Sequence, residues 1–347
     1  MFEDLLRDWS GEEAVIRYDA ESGAWMFVCI DSTALGPSGG GTRLRVYPSP
    51  SDGLADAMRL SGAMTRKFAA ADIPRGGGKA VLAVPELPTG DARRRLLLRY
   101  GDLVASLGGT YRTAGDMNIS PADLDVVAER CQWVYGTTGR GGNSARGTAI
   151  GTLHAIRATV EHAFGSPDLA GKRVLVQGAG AVGADLVRLL QAEGAEVLVS
   201  DVDEARAAAT GATLVAAADV IGADCDLYAP CAVGGTLTAE TIPLLRCRAV
   251  AGCANNQLGA PEDADRLQAA GILYAPDYVA NAGGIIQLTG LEDLGWSEDE
   301  LQAGLARIGE TLRTLFRTAS AEGITPAAAA ELLVAERVAA AQAHTGR

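Results

Sequence analysis

The residues best suited to acid–base chemistry surround a glycine-rich stretch at 72–84. It reads D-I-P-R-G-G-G-K-A-V-L-A-V, so Lys79 follows three glycines and precedes an apolar run. The chain contains only three lysines, Lys67, Lys79 and Lys172. Because a poorly solvated ammonium can lose its proton and a guanidinium cannot, Lys79 is a candidate general base. A solvated lysine at the start of a strand, beside a flexible loop, is the alternative interpretation.

A second candidate site is the sequence Q-G-A-G-A-V-G, which places Gly178, Gly180 and Gly183 in the spacing G-x-G-x-x-G. It follows a predicted strand and opens a predicted helix, and the next predicted strand ends in Asp201. In such a unit the glycines allow a tight turn, the approach of a pyrophosphate and close helix packing. Asp201 would accept hydrogen bonds from the adenosine ribose, which favours NAD, with NADP left as the alternative because Arg206 follows.

The composition limits the class of partner. The chain has 347 residues, 48% of them hydrophobic, and a net charge of −13, which argues against a nucleic-acid partner. No apolar run is long enough to span a membrane and no signal peptide is evident, so a cytoplasmic protein without a membrane partner is expected. The six cysteines show no C-x-x-C spacing and the three histidines are far apart, so no metal site is expected.

The pattern of elements predicts an α/β fold with two domains separated by a cleft. Residues 1–140 form an N-terminal α/β domain for substrate binding, catalysis and oligomerisation, and 141–324 form a doubly wound Rossmann domain. A C-terminal helix at 325–347 is expected to join the first domain, and 136–142 is the expected linker. Predicted elements include a hairpin at 14–18 and 25–31, helices at 51–71 (capped by Ser51), 91–107, 144–164, 182–193 and 207–218, and strands at 80–84, 110–114, 173–177, 196–200, 214–217, 227–229, 249–252 and 272–275.

Several longer motifs carry a family resemblance. They are L-G-P-S-G-G-G-T-R (35–43), A-M-T-R-K (63–67), P-R-G-G-G-K-A-V (74–81), G-D-M-N (115–118), A-P-C-A (229–232), A-G-C-A-N-N (251–256) and Y-A-P-D-Y-V-A-N-A-G-G (274–284). With these motifs the chain resembles the Glu/Leu/Phe/Val class of amino-acid dehydrogenases, and most of all the phenylalanine dehydrogenases of actinobacteria. The resemblance implies reversible, NAD-dependent oxidative deamination of an L-amino acid to a 2-oxo acid and ammonia, by a homodimer or larger oligomer.

The resemblance also implies roles for individual residues. Lys79 would be the general base that activates water, and Asp116 would carry protons to and from the amino group. Lys67 would hold the substrate α-carboxylate with the backbone around Gly40 and Gly41. Asn256 is assigned to the substrate and Asn255 to the cofactor, although the resemblance does not distinguish the two. The full set of expected cofactor contacts is Ser144, Gly178, Gly180, Ala181, Val182, Gly183, Asp201, Cys231, Ala254, Asn255 and Asn281.

Substrate choice depends on four further positions. Gly39 and Ala114 are small and would enlarge the side-chain pocket, whereas Ile285 and Leu288 would form its other wall. This balance favours phenylalanine, with leucine or valine as the alternative. Two other possibilities are a biosynthetic dehydrogenase for an unusual amino acid and a catalytically silent NAD-binding sensor. Closure about residues 136–142 is expected to exclude water from hydride transfer.

Overall fold

The computed structural model describes residues 2–139 and 144–345. The chain divides into two compact units, one of residues 1–142 with 334–347 and the other of residues 143–333. The last three residues of the predicted linker, 140–142, lie outside the described residues. Within the described ranges, no helix combines the length and the apolar character that crossing a membrane requires.

The first unit is built on a five-stranded mixed sheet. Its strand order is β1-β2-β4-β3-β5, with β1–β2 and β2–β4 antiparallel and the β4–β3 and β3–β5 pairs parallel. The predicted hairpin is therefore confirmed as β1–β2. In chain order the elements are α1 (Phe2–Asp8), β1 (Glu13–Asp19), β2 (Ala24–Ser32), β3 (Ser38–Arg45), α2 (Pro50–Ala70), β4 (Gly76–Ala83), α3 (Gly90–Ser106), β5 (Tyr111–Gly115) and α4 (Pro121–Ala128).

The glycines at 76–78 belong to a strand, so the alternative interpretation, a solvated lysine beside a flexible loop, is wrong. Strand β4 starts at Gly76 and includes Lys79, and all its residues are buried. A Cβ on Gly76 would lie 1.9 Å from the Ser32 carbonyl oxygen, and one on Gly77 would lie 2.2 Å from the Thr65 amide nitrogen. Glycine is thus required here because the strand backbone lies directly against β2 and α2.

Alternating residues of β4 separate the two faces of this sheet. Val81 and Ala83 pack with Leu54 and Met58 of α2, whereas Ala80 and Leu82 pack into the core beneath α3 and α4. Each fully buried large apolar side chain contributes about 1.5–3 kcal/mol relative to exposure. Because side chains repeat every two residues along a strand, Lys79 points to the face that α2 covers.

The N-cap of helix α2 lies two residues before the predicted one. Ser49, and not Ser51, is the N-cap: its hydroxyl accepts from the Asp52 amide and the Asp52 carboxylate accepts from the Ser49 amide. Pro50 then occupies the first helical position, where its missing N–H costs nothing. This cap sets the start of the helix that carries Lys67 in its last turn.

The second unit is a doubly wound parallel sheet, as predicted. Its strand order is β11-β10-β9-β6-β7-β8 with every pair parallel, so the order reverses beside β6, where such folds bind ligands. In chain order the elements are α5 (Ser144–Phe164), β6 (Arg173–Gln177), α6 (Ala181–Ala192), β7 (Glu196–Ser200), α7 (Glu204–Ala208), β8 (Thr213–Leu214), β9 (Leu227–Pro230), β10 (Ala249–Val250), α8 (Asp263–Ala269), β11 (Leu273–Tyr274), α9 (Asp277–Ala280), α10 (Gly283–Leu288), α11 (Glu298–Glu322) and α12 (Pro326–Thr345).

The helix predicted at 207–218 is largely absent. Helix α7 ends at Ala208, and the chain then turns through Gly211, whose φ is +70°, into the short strand β8. The alanine-rich composition favoured a helix, but the left-handed glycine ends it and pairing with β7 takes the following residues.

Candidate active site

The structure brings Lys79 and Asp116 into direct contact in the first unit. Lys79 Nζ lies 3.0 Å from Asp116 Oδ2, and only 6% of Lys79 is exposed. Asp116 follows β5, which is separated from β4 in the sheet by β3. A buried amine next to a carboxylate forms a pair through which protons can be exchanged with a bound molecule.

Three predicted residues lie at the same level across this sheet. Gly41 of β3 pairs with Ala114 of β5. On the other side of β3, Gly39 pairs with Gly77 and Thr42 with Ala80 of β4. This register places Lys79 beside Gly41. A Cβ on Gly41 would lie 2.5 Å from the Gly115 carbonyl oxygen and 3.0 Å from Asp116 Cβ. The glycine therefore lets Asp116 approach the strand that separates it from Lys79.

Arg43 and Asp56 also belong to this cluster, and the sequence analysis missed them. Arg43 Nε donates to Asp116 Oδ2 at 2.8 Å, and its Nη1 donates to Asp56 Oδ2 at 2.9 Å. The Tyr47 hydroxyl donates to the same Asp56 oxygen at 2.7 Å. A signal was present, because Arg43 ends the motif L-G-P-S-G-G-G-T-R, but its role depends on contacts with residues distant in sequence.

The electrostatics of the cluster separate the two partners' protonation states. Burial lowers the pKa of Lys79 below its ordinary value, although the charge of Asp116 opposes this shift. Burial raises the pKa of Asp116, but the charges of Lys79 and Arg43 lower it by more, so the net shift is downward. An ionised Asp116 beside an amine that gives up its proton readily is the arrangement that a general base requires.

The other substrate residues predicted in the first unit lie on α2 and β3. Lys67 is partly buried in the last turn of α2. A Cβ on Gly40 would lie 1.8 Å from the Gly78 carbonyl oxygen, and the Gly40 carbonyl accepts a hydrogen bond of 2.7 Å from the Tyr111 hydroxyl. A Cβ on Gly39 would lie 3.1 Å from the Phe68 ring of α2. These glycines have packing roles, and their contribution to the substrate site stays a prediction.

The turn between β6 and α6 has the features of a phosphate-binding loop. Gly178 has a φ of +106°, which disfavours any side chain there. A Cβ on Gly183 would lie 1.9 Å from the carbonyl oxygen of Gly178, so this position does not accommodate a side chain either. Among the described residues, no heavy atom lies within 4 Å of a Cβ built on Gly180, which caps α6 without a side-chain hydrogen bond. In the first turn of that helix Ala181 is exposed and Val182 is half-buried. An anion could therefore reach the amides of this turn.

Asp201 is held beside this turn by backbone amides. Its Oδ2 accepts from the Ala179 amide at 2.7 Å and its Oδ1 accepts from the Asp203 amide at 2.8 Å. The hydrogen bonds from Asp203 and Ala179 lower the pKa of Asp201. The carboxylate is thus ionised and oriented, and its remaining lone pairs suit the hydroxyls of a ribose.

Asn281 and Asn255 form the amide pair expected near a nicotinamide. Asn281 Nδ2 donates to Asn255 Oδ1 at 3.0 Å, whereas the buried Oδ1 of Asn281 has no hydrogen-bond partner among the described residues. A buried acceptor without a partner fits a ligand that carries an N–H donor, such as a carboxamide. Asn256 is exposed, with a φ of +52°, and is not part of this pair.

The remaining predicted positions in the second unit lie on α5 and α10 and in the segments that follow β9 and β10. A Cβ on Gly284 would lie 2.7 Å from Thr148 Oγ1 and 3.8 Å from Ser144 Cβ, so α10 packs closely on the start of α5. The Cys231 amide donates to the Gln177 carbonyl at 2.7 Å and the Ala254 amide to the Pro230 carbonyl at 2.9 Å, which continues the sheet pairing at its ligand-binding edge. On α10, Ile285 and Leu288 are both partly exposed.

Comparison with known proteins identifies the family. Residues 21–139 match the Glu/Leu/Phe/Val dehydrogenase dimerisation domain, and residues 199–346 match the Glutamate/Leucine/Phenylalanine/Valine dehydrogenase family. The chain is 42% identical to valine dehydrogenase of Streptomyces albus over 96% of its own length and 93% of that protein. The chain belongs to the Glu/Leu/Phe/Val dehydrogenase family. It is an amino-acid dehydrogenase, an oxidoreductase acting on CH–NH2 groups.

Two further relatives cover this dehydrogenase almost completely. Leucine dehydrogenase of Geobacillus stearothermophilus is 37% identical over 96% of this chain and 92% of that protein. The crystal structure of L-tryptophan dehydrogenase from Nostoc punctiforme superposes with a TM-score of 0.87 at 36% identity, covering 99% of both chains. The predicted family and fold class are therefore confirmed, whereas none of these three relatives supports the closer resemblance to phenylalanine dehydrogenases.

Proposed function

We propose that this dehydrogenase catalyses the reversible, NAD-dependent oxidative deamination of a branched-chain L-amino acid to its 2-oxo acid and ammonia. The observation that carries the proposal is the buried Lys79–Asp116 contact of 3.0 Å. When bound, the dinucleotide supplies the acceptor for the hydride that leaves the amino acid's Cα. The first unit supplies the groups that move protons, and the second supplies those that bind the dinucleotide.

The proton steps follow from the protonation states of the cluster. In its unprotonated form, which burial favours by lowering its pKa, Lys79 takes a proton from the water that attacks the carbon of the imine. Asp116 then exchanges protons with the amino group as ammonia leaves, since its carboxylate is ionised and touches Lys79. Lys67 holds the substrate carboxylate, for which a flexible ammonium in the last turn of α2 is suited.

The branched-chain substrate was the alternative in the sequence analysis, and it now has the better support. Two of the relatives described above are named for valine and leucine. The pair of branched side chains on α10, Ile285 and Leu288, suits an aliphatic pocket better than a wide aromatic one. One methylene in such a pocket changes binding by only about 1–3 kcal/mol, so neighbouring aliphatic substrates should also react.

The test of this activity is NADH oxidation with ammonia against a panel of 2-oxo acids. We expect the 2-oxo acids of valine and leucine to give the highest kcat/KM, with that of phenylalanine lower. Higher kcat/KM for the aromatic substrates would contradict the branched-chain proposal but not the reaction class. Absence of turnover with every member would contradict the reaction class and favour an NAD-binding sensor.

The preference for NAD depends on the ionised Asp201. A 2′-phosphate would place negative charge beside this carboxylate, which backbone amides already hold in position. Asp201→Asn should therefore weaken NADH binding and narrow its advantage over NADPH, each measured as Kd by fluorescence quenching. An unchanged ratio of the two Kd values would show that Asp201 does not select the cofactor.

We also propose that the protein is a homo-oligomer assembled through its first unit. The support is the match of residues 21–139 to a domain described as a dimerisation domain. Light scattering on the purified chain tests this directly, and a monomer at micromolar concentration would contradict it.

A further inference from the structure

We propose that Arg43 is a positioning residue that keeps Asp116 ionised and facing Lys79 and thereby keeps Lys79 available as an unprotonated base. The inference rests on the function proposed above and extends it to a residue outside the predicted site. Its basis is geometric, because one carboxylate oxygen, Asp116 Oδ2, receives both Arg43 Nε at 2.8 Å and Lys79 Nζ at 3.0 Å.

The guanidinium is itself fixed at its other end. Arg43 Nη1 donates to Asp56 Oδ2, and Asp56 is further held by Tyr47 on that oxygen and by Arg59 on Oδ1 at 2.8 Å. The side chains of Arg43 and Asp56 are only 15% and 13% exposed. An arginine that donates along two directions to buried carboxylates has little freedom to move. The orientation of Asp116 is thus determined from α2 through Arg43.

Because Arg43 and Lys79 contact the same oxygen of Asp116, Arg43 affects how strongly Asp116 stabilises the protonated form of Lys79. An isolated carboxylate beside an amine stabilises the ammonium and raises its pKa. Here Arg43 already neutralises that carboxylate, so Asp116 can touch Lys79 without holding its proton strongly. Arg43 also repels a positive charge on Lys79 directly. Removal of Arg43 should therefore favour the protonated, inactive form of the base.

The other groups near Lys79 do not replace this effect. Asp56 is the other anion that acts on Lys79, and it favours the ammonium. Cys29 lies opposite Lys79 on β2 and stays a neutral thiol, because burial raises its pKa to about 12. Lys67 on α2 stays unchanged in every variant below, so its charge contributes equally to all of them.

The first measurement is the pH profile of kcat/KM for oxidative deamination. Lys79 acts only when unprotonated, so the rate rises with pH through its pKa, and Arg43→Met should move this rising limb upward by about one pH unit. At a fixed pH on the acidic side of this rise, that shift lowers kcat/KM about tenfold. Arg43→Lys, which restores a positive charge, should recover part of the loss. Arg43→Gln serves the same purpose if the methionine variant does not fold.

A matched control comes from another arginine of the same unit. Arg99 donates to Asp19 Oδ2 at 2.8 Å and to Glu21 Oε2 at 2.7 Å, and joins α3 to the turn between β1 and β2. This turn lies at the opposite end of β2 from Cys29, the residue paired with Lys79. Arg99→Met loses a comparable ion pair and should leave the pH profile unchanged. The inference is wrong if Arg43→Met lowers kcat/KM by one factor at every pH, because such a change indicates only a structural role.

A second readout needs no turnover. With only three lysines in the chain, the acetylation of Lys79 by acetic anhydride can be followed by peptide mass spectrometry, with Lys172 as internal reference. Since only the unprotonated amine reacts, Arg43→Met should reduce the Lys79 to Lys172 labelling ratio about tenfold below the limb. An unchanged ratio overturns the inference. Absence of amino-acid turnover by the wild-type protein would instead contradict the proposed function, while this labelling still tests Arg43.

Discussion

The two units contain similar glycine-rich motifs, but the space beside the glycines differs. In the first unit, a Cβ on Gly40 would lie 1.8 Å and one on Gly77 2.2 Å from a backbone atom, so neighbouring backbone leaves no room for a side chain at these positions. In the second unit, Gly178 and Gly183 are closed in the same way, but the space beside Gly180 is open. A glycine-rich motif therefore indicates close backbone approach, and only the structure shows whether the approaching group is protein or ligand.

The charged groups of the two units differ in the same sense. Lys79 is buried and shares the oxygen of Asp116 with Arg43, which suits its proposed role as a base that must lose its proton at moderate pH. Asp201 is partly exposed, and the Ala179 and Asp203 amides hold it, which suits its proposed role as an acceptor of hydrogen bonds from a ribose. In the proposed function, proton transfer uses a buried network and dinucleotide binding uses an open turn.

The largest expected effect comes from replacing Lys79, the proposed base. A general base contributes about 10²–10⁴-fold to the rate, so Lys79→Ala should lose at least that much kcat while the second unit still binds NADH. The measurement is steady-state kcat together with Kd for NADH. Near-normal turnover would contradict the assignment of Lys79, and a large loss of NADH binding would contradict the division of roles between the units.

A closed glycine should affect stability. Gly77→Ala places a Cβ 2.2 Å from the Thr65 amide nitrogen and 2.6 Å from the Ser61 carbonyl oxygen, which requires the strand and helix α2 to separate. Overpacking of this kind costs about 1–3 kcal/mol of unfolding free energy, and the urea midpoint should fall accordingly. Gly222→Ala is the control, because a Cβ there meets no heavy atom of the described residues within 4 Å. Equal midpoints for the two variants would show that α2 yields easily.

Replacing Gly180, which has open space beside it, should give the smallest effect. The change should appear in NADH binding and not in stability. Gly180→Ala causes no clash within the protein, so its urea midpoint should match that of the wild type. The new methyl group occupies the space through which a pyrophosphate reaches the backbone, and we expect the Kd for NADH to rise about tenfold, or about 1.4 kcal/mol. An unchanged Kd would mean that the phosphates approach the turn elsewhere.

Much of the fold could be predicted because its signals are local. Strands β6 and β7 and helix α5 match their predicted bounds, since alternating or continuous apolar runs and caps lie within each segment itself. The exceptions depend on distant neighbours. The glycines at 76–78 suggested a loop, but pairing with β2 and β3 makes them a strand, and the segment after Ala208 leaves the helix, and Thr213 and Leu214 pair with β7.

By itself, the sequence determined the family through its motifs, and residue type and spacing indicated Lys79 and the glycine-rich turn at 178–183 as candidate sites. Asp116 became a candidate through the family resemblance. Only the tertiary structure decided how the two are tuned. Arg43 lies 73 residues before Asp116 and 13 before Asp56, and their ion pairs exist because β3, β5 and α2 are neighbours in space. The protonation of Lys79 depends on burial and on these charges, and both are properties of the folded chain.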